Sequence, residues 1–168
     1  MLMLRARLAG AALCAVLAGC APSAQTDVQT AIAEVSSRSV QIPDYPQANR
    51  TYLSFSGAHG FQVTYLAAGG ASHLWYPGNQ QALKGAYKRD TIGGRDAMCW
   101  RYGAQTYNPV TKQGGGKFAC QSMELTRKTV VAQLRGDPFR LATGKLPYRL
   151  ARCTAPREFS FDRARFSC

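Results

Sequence analysis

The chain is poor in histidine and in acid. It carries two histidines, His59 and His73, and nine Asp and Glu against 21 Lys and Arg. Two separated imidazoles do not supply the clustered ligands of a histidine metal centre, and no C-x-x-C spacing is present, so no metal is expected. The glycine run Gly114–Gly116 before Lys117 lacks the spacing of a phosphate loop. Ser72 precedes His73, but neighbours on a strand point to opposite faces, so the two do not form a nucleophile–base pair. The acids show no close pair suited to glycoside hydrolysis. No catalytic residue and no cofactor is implied. Long apolar runs are missing too. The run Leu8–Leu17 is too short for a bilayer-spanning helix, which needs about 20 residues.

That run has the flanks of an export signal. Arg5 and Arg7 precede it, and small residues follow. It ends in Leu17-Ala18-Gly19-Cys20, which resembles the lipobox of bacterial lipoproteins. The resemblance covers about the first twenty residues. It implies cleavage before Cys20, a diacylglycerol on the Cys20 thiol and an acylated new amino group. Three chains anchor far more firmly than one, whose burial contributes about 0.8 kcal/mol per CH₂. In that family an Asp after the cysteine often marks inner-membrane retention. Ala21 stands there instead, which implies the outer membrane of a Gram-negative cell, facing the periplasm. The expected organisation is a signal over 1–19, a lipidated tether over 20–50 and one domain over 51–168.

Without the signal the chain has 19 Lys and Arg against nine acids, a net +10. From Arg127 to Cys168 there are ten cations and three acids, a net +7. An exported protein does not meet the chromosome, so nucleic acid is not an expected partner. Anionic lipid, lipopolysaccharide and cell-wall polymer are the anionic partners at hand. Four cysteines remain after Cys14 and Cys20 are set aside. An even count in an oxidising compartment reads as two disulfides. Sequence order favours Cys99–Cys120 and Cys153–Cys168 among three pairings.

The pattern along the chain is mainly β. A weak helix is expected in the tether, capped at Thr26 or Asp27, with Val28, Ala31, Ile32 and Val35 on one face. Pro43 and Pro46 end it. Strands follow from Arg50 to about Gln121. Phe61–Leu66 alternates apolar and polar residues, and Ala71–Tyr76 returns after Gly69-Gly70. Tyr76-Pro77-Gly78-Asn79 is a turn signal. Leu83–Arg89, Ala97–Tyr102 and Lys117–Cys120 complete an antiparallel meander or partly closed small barrel. A second helix is expected after Cys120, over Glu124–Arg135. The stretch with Trp75-Tyr76-Pro77-Gly78-Asn79, then Gly85-Ala86-Tyr87, then a Cys-aromatic strand, resembles small β-meander domains of uncharacterised exported bacterial proteins. That resemblance implies a fold and no activity.

The candidate binding residues are Trp75, Tyr76, Asn79, Arg101 and Tyr107, aromatic and polar side chains suited to sugar rings or partner side chains. These features favour a non-enzymatic, lipid-anchored interaction or structural module of the envelope. An enzyme acting on envelope polysaccharide or peptidoglycan is the alternative. A lysozyme-inhibitor-like β-barrel lipoprotein is the second, and it is weakened by a basic surface that repels basic lysozymes.

Overall fold

The computed structural model describes residues 24–166. The signal, Cys20 and Cys168 lie outside the described residues. Helix α1 covers Ala24–Ser36. The strands are β1 Arg50–Ser56, β2 Gly60–Leu66, β3 Ala71–Trp75, β4 Leu83–Ile92, β5 Arg95–Tyr102, β6 Tyr107–Asn108, β7 Gln113–Gly114, β8 Ala119–Ser122 and β9 Val130–Arg135. Helix α2, Met123–Thr129, joins β8 to β9. Seven strands form one antiparallel sheet in the order β8-β5-β4-β3-β2-β1-β9, and β6 pairs with β7 alone. The fold is thus mainly β, a meander curled into a half-barrel.

The curl follows from chain geometry. Seven flat strands would separate the two edges by about 29 Å, at about 4.8 Å per neighbour. One seven-residue helix, about 10 Å long, carries the chain from edge strand β8 to edge strand β9. The edges must therefore come close. Ser122 caps α2 by accepting the Leu125 N–H at 3.4 Å. The helix stops at Thr129, short of the expected Arg135. Thr129, Val130 and Val131 are β-branched and favour strand, and β1 offers them an open edge to pair with.

Both faces of the sheet are apolar. The inner face buries Tyr52, Leu66 and Met98 with Met123 of α2, Val130 and Tyr45. The outer face buries Leu53, Phe55, Phe61, Val63 and Trp75. No α-helix or sheet covers that outer face. Residues 136–166, irregular apart from the short 3-10 helices Leu141–Thr143 and Arg163–Arg165, lie over it and contribute Phe139, Leu141, Leu150, Ala155 and Phe159. The brief alternation at Phe159–Asp162 therefore does not make a strand.

Backbone bonds hold this layer to the sheet. Phe61 N–H donates to Arg152 O at 2.9 Å, and Ala82 N–H to Gly144 O at 2.9 Å. Thr51 Oγ1 donates to Gly136 O at 2.6 Å. Arg152 donates from its guanidinium to Gly57 O and Ala58 O. Arg163 donates to Ala155 O, Pro156 O and Phe159 O, and its guanidinium lies 4.8 Å over the Phe161 ring. Gly60 is needed where the layer meets β2. Its φ is +72°, and a Cβ there would lie 2.3 Å from Arg152 O.

The stretch read as a tether packs in part against this domain. Val35 and Tyr45 are buried, although Ile32, expected on the same helical face as Val35, is exposed. Arg38 pairs with Glu34 and donates to Phe55 O at 2.7 Å. Arg127 donates to Tyr45 O at 3.0 Å.

Cys99 and Cys120 face each other across β5 and β8 and form the expected disulfide. Cys153 is also disulfide-bonded, and its expected partner Cys168 lies outside the described residues. The first bridge spans 21 residues. Replacing Cys99 and Cys120 together by Ser should lower stability by about 3 kcal/mol on the chain-entropy relation. Denaturant unfolding of the oxidised proteins checks this, and an unchanged midpoint would contradict it.

Candidate functional site

The turn between β3 and β4 takes the form its residues dictate. Gly78 sits at φ +90°, and Asn79 N–H donates to Tyr76 O at 3.1 Å. Asn79 then turns inward and is only 8% exposed. Its Nδ2 donates to Gln81 O at 3.0 Å and approaches Leu74 O at 3.5 Å. Those two carbonyls fix the amide, because the flipped form would set oxygen against oxygen. Asn79 Oδ1 is left buried with no hydrogen-bond partner among the described residues.

Beside it lies a recess of about 330 Å³, lined by Asn79, Gln80, Leu146, Tyr148 and Arg149. The β3–β4 connection supplies the first two and the outer layer the other three. Tyr148 is 46% exposed, and its ring meets Trp75 edge-on at 4.9 Å. Trp75 is held in turn by Phe139 at 5.4 Å. Loss of hydration raises the Tyr148 phenol above its usual pKa. Glu158 adds to that rise and Arg157 opposes it, so both charges act at this end of the recess.

The five residues expected at a binding surface do not come together. Trp75 is a correction. It is fully buried in the outer core and supports Tyr148 from beneath, as alternation on β3 places it with Val63 rather than toward solvent. Tyr76 is half-buried in the turn, and Asn79 lines the recess. Arg101, on β5, lies 4.8 Å over the ring of Phe118, with Lys88 5.1 Å from the same ring. Tyr107 is exposed in the β6–β7 hairpin. Tyr148 and Gln80 carry no sequence signal of a site, and Arg149 is marked only as one of the basic C-terminal residues. Pro147 was the one local signal near them, and it says only that the chain is irregular there.

A second polar array joins the β1–β2 turn to β6. Ser56 Oγ lies 3.2 Å from His59 Nδ1 and also accepts the His59 backbone N–H at 3.3 Å. Asn108 Nδ2 lies 3.5 Å from His59 Nε2. Asn108 Oδ1 accepts from Val110 and Thr111, so the amide nitrogen is the end turned to the ring. An N–H directed at Nε2 makes that nitrogen the acceptor and leaves the proton on Nδ1. Nδ1–H then donates to Ser56 Oγ. Nucleophile activation needs the opposite polarity, with serine donating to the imidazole. The array is a clasp between two loops. His73 is buried and stacks with Tyr65 at 6.0 Å. The chain matches no protein-family model, no curated protein and no solved structure.

Both imidazoles are held below their ordinary value of 6.5. Burial is the main cause at His59, reinforced by Arg152. Burial is also the main cause at His73, opposed by Asp137 and reinforced by Lys84. The unfolded chain therefore binds more protons between each depressed value and 6.5. Stability is fully present above 6.5 and falls as pH drops toward the folded values. His59→Gln should flatten that loss in denaturant titrations at pH 7.5 and 5.5, leaving the part due to His73. An unchanged difference between the two pH values would contradict this assignment.

Proposed function

We propose that the protein is a lipid-anchored, non-enzymatic interaction module of the outer membrane of a Gram-negative cell, facing the periplasm and engaging anionic envelope material. The lipobox at Leu17–Cys20 supports the anchor. The observation that carries the binding half is the unpaired charge of the outer layer. The ion pairs among the described residues involve Arg38, Lys88, Arg89 and Lys128. From Arg135 to Arg165 no cation meets a carboxylate among the described residues, and two of the three acids there are used locally. Asp137 accepts the Leu141 and Ala142 N–H groups, and Asp162 accepts that of Ala164.

These cations are of two kinds. Arg152 and Arg163 are committed to backbone carbonyls and hold the layer in place. Arg140, Lys145, Arg149, Arg157 and Arg165 are exposed. Each exposed cation near an anionic bilayer contributes about 1 kcal/mol, and salt screens it over a length near 8 Å at physiological strength.

Metabolic labelling with a palmitate analogue should mark the wild type and not Cys20→Ser. An unlabelled wild type would contradict the anchor. Protein exported behind a non-lipidating signal should bind vesicles of anionic lipid or lipopolysaccharide at low salt. It should leave them at several hundred millimolar salt, roughly, as the screening length shrinks. Replacing Arg149, Arg157 and Arg165 by Gln should remove most of that binding while the fold persists. Indifference to anionic vesicles at low salt would contradict the binding half.

A further inference from the structure

We infer that the recess between the β3–β4 turn and residues 146–149 binds one sugar residue that carries an anionic substituent. The inference rests on the envelope reading for the source of the sugar, and on the recess alone for its chemistry.

The lining is the starting point. Asn79 closes the recess on the turn side, its amide held through Nδ2 by Gln81 O at 3.0 Å. Gln80 adds an amide that both donates and accepts. Tyr148 supplies a half-exposed ring, braced edge-on by Trp75, as a platform for the C–H face of a sugar. Leu146 is the one aliphatic side chain in the lining, which makes the recess a poor fit for an acyl chain. Its volume of about 330 Å³ lies near the lower end of ligand pockets, ~300 Å³, and suits one ring rather than a long segment.

Arg149 gives the site its charge preference. It is exposed on the recess wall and makes no ion pair among the described residues. Its guanidinium fork fits a carboxylate or a phosphate in two parallel bonds. Arg157 reinforces that field from the Tyr148 side, and Glu158 opposes it there. Acid-bearing hexosamines of this kind occur in envelopes as carboxylated cell-wall sugar and as phosphorylated lipopolysaccharide sugar. The shared chemistry is a sugar ring that carries polar groups for Gln80 and an anion for Arg149.

Calorimetry on the detergent-solubilised, exported protein separates these sources with three probes. They are the N-acetylglucosamine–N-acetylmuramic acid disaccharide, the deacylated bis-phosphorylated glucosamine disaccharide, and neutral chitobiose. At least one anionic probe should bind about tenfold more tightly than chitobiose. Whichever anionic probe binds identifies cell wall or lipopolysaccharide as the source. Arg149→Gln should erase the preference, and Arg149→Lys should restore part of it, because charge returns without the fork. Tyr148→Ala should weaken every probe that binds. Equal affinity for neutral and anionic probes, no binding by any, or a preference that survives Arg149→Gln would overturn the inference. Labelling at Cys20 does not depend on sugar binding, so a failed anchor and a failed recess give different results.

Discussion

A curled sheet that is apolar on both faces must be covered twice. The inner face is closed by its own curvature, with α2 and the segment around Tyr45 filling the interior. The outer face has no α-helix or sheet to cover it. Residues 136–166 do so with only two single-turn 3-10 helices, and most of their backbone groups need partners from elsewhere. Arg163 supplies three such bonds to carbonyls of the layer, Arg152 ties the layer to Gly57 O and Ala58 O of the β1–β2 turn, and Phe61, Thr51 and Ala82 bond to the layer from the sheet side. The basic character of the C-terminal quarter thus has a structural share.

The same arrangement creates the recess. Asn79 belongs to a turn of the sheet and Tyr148 and Arg149 belong to the layer, so the site exists only where the layer docks. Trp75 links the two, buried under Tyr148 and packed on Phe139. A residue that reads in sequence as a surface aromatic instead lies buried beneath Tyr148 at the recess.

What was legible in the sequence is what local rules determine. Alternation at Phe61–Leu66, the Pro-Gly turn at Tyr76–Asn79 and the meander spacing gave most strands. Cys99 and Cys120 were placed as partners by the hairpin logic that puts β5 beside β8. Strand β9 was read as helix because Leu125, Val130, Val131 and Leu134 mimic helical spacing, while its pairing with β1 is a contact across more than seventy residues. The outer layer has no period at all, so neither its docking nor the place of Tyr148 beside Arg149 is visible in the sequence. Charge counting found the basic region but could not separate the cations that grip carbonyls from those that face solvent.

The central claim is that residues 136–166 are an integral layer of the domain rather than a loosely attached tail. Native-state hydrogen exchange tests it most directly at two amides, Phe61 and Ala82, whose acceptors are Arg152 O and Gly144 O in the layer. Protection of both amides to the level of buried strand amides such as Leu53 is the predicted result, because layer and sheet would then open together. Rapid exchange at Phe61 and Ala82 while Leu53 stays protected would contradict the account, because the layer would then open without the sheet.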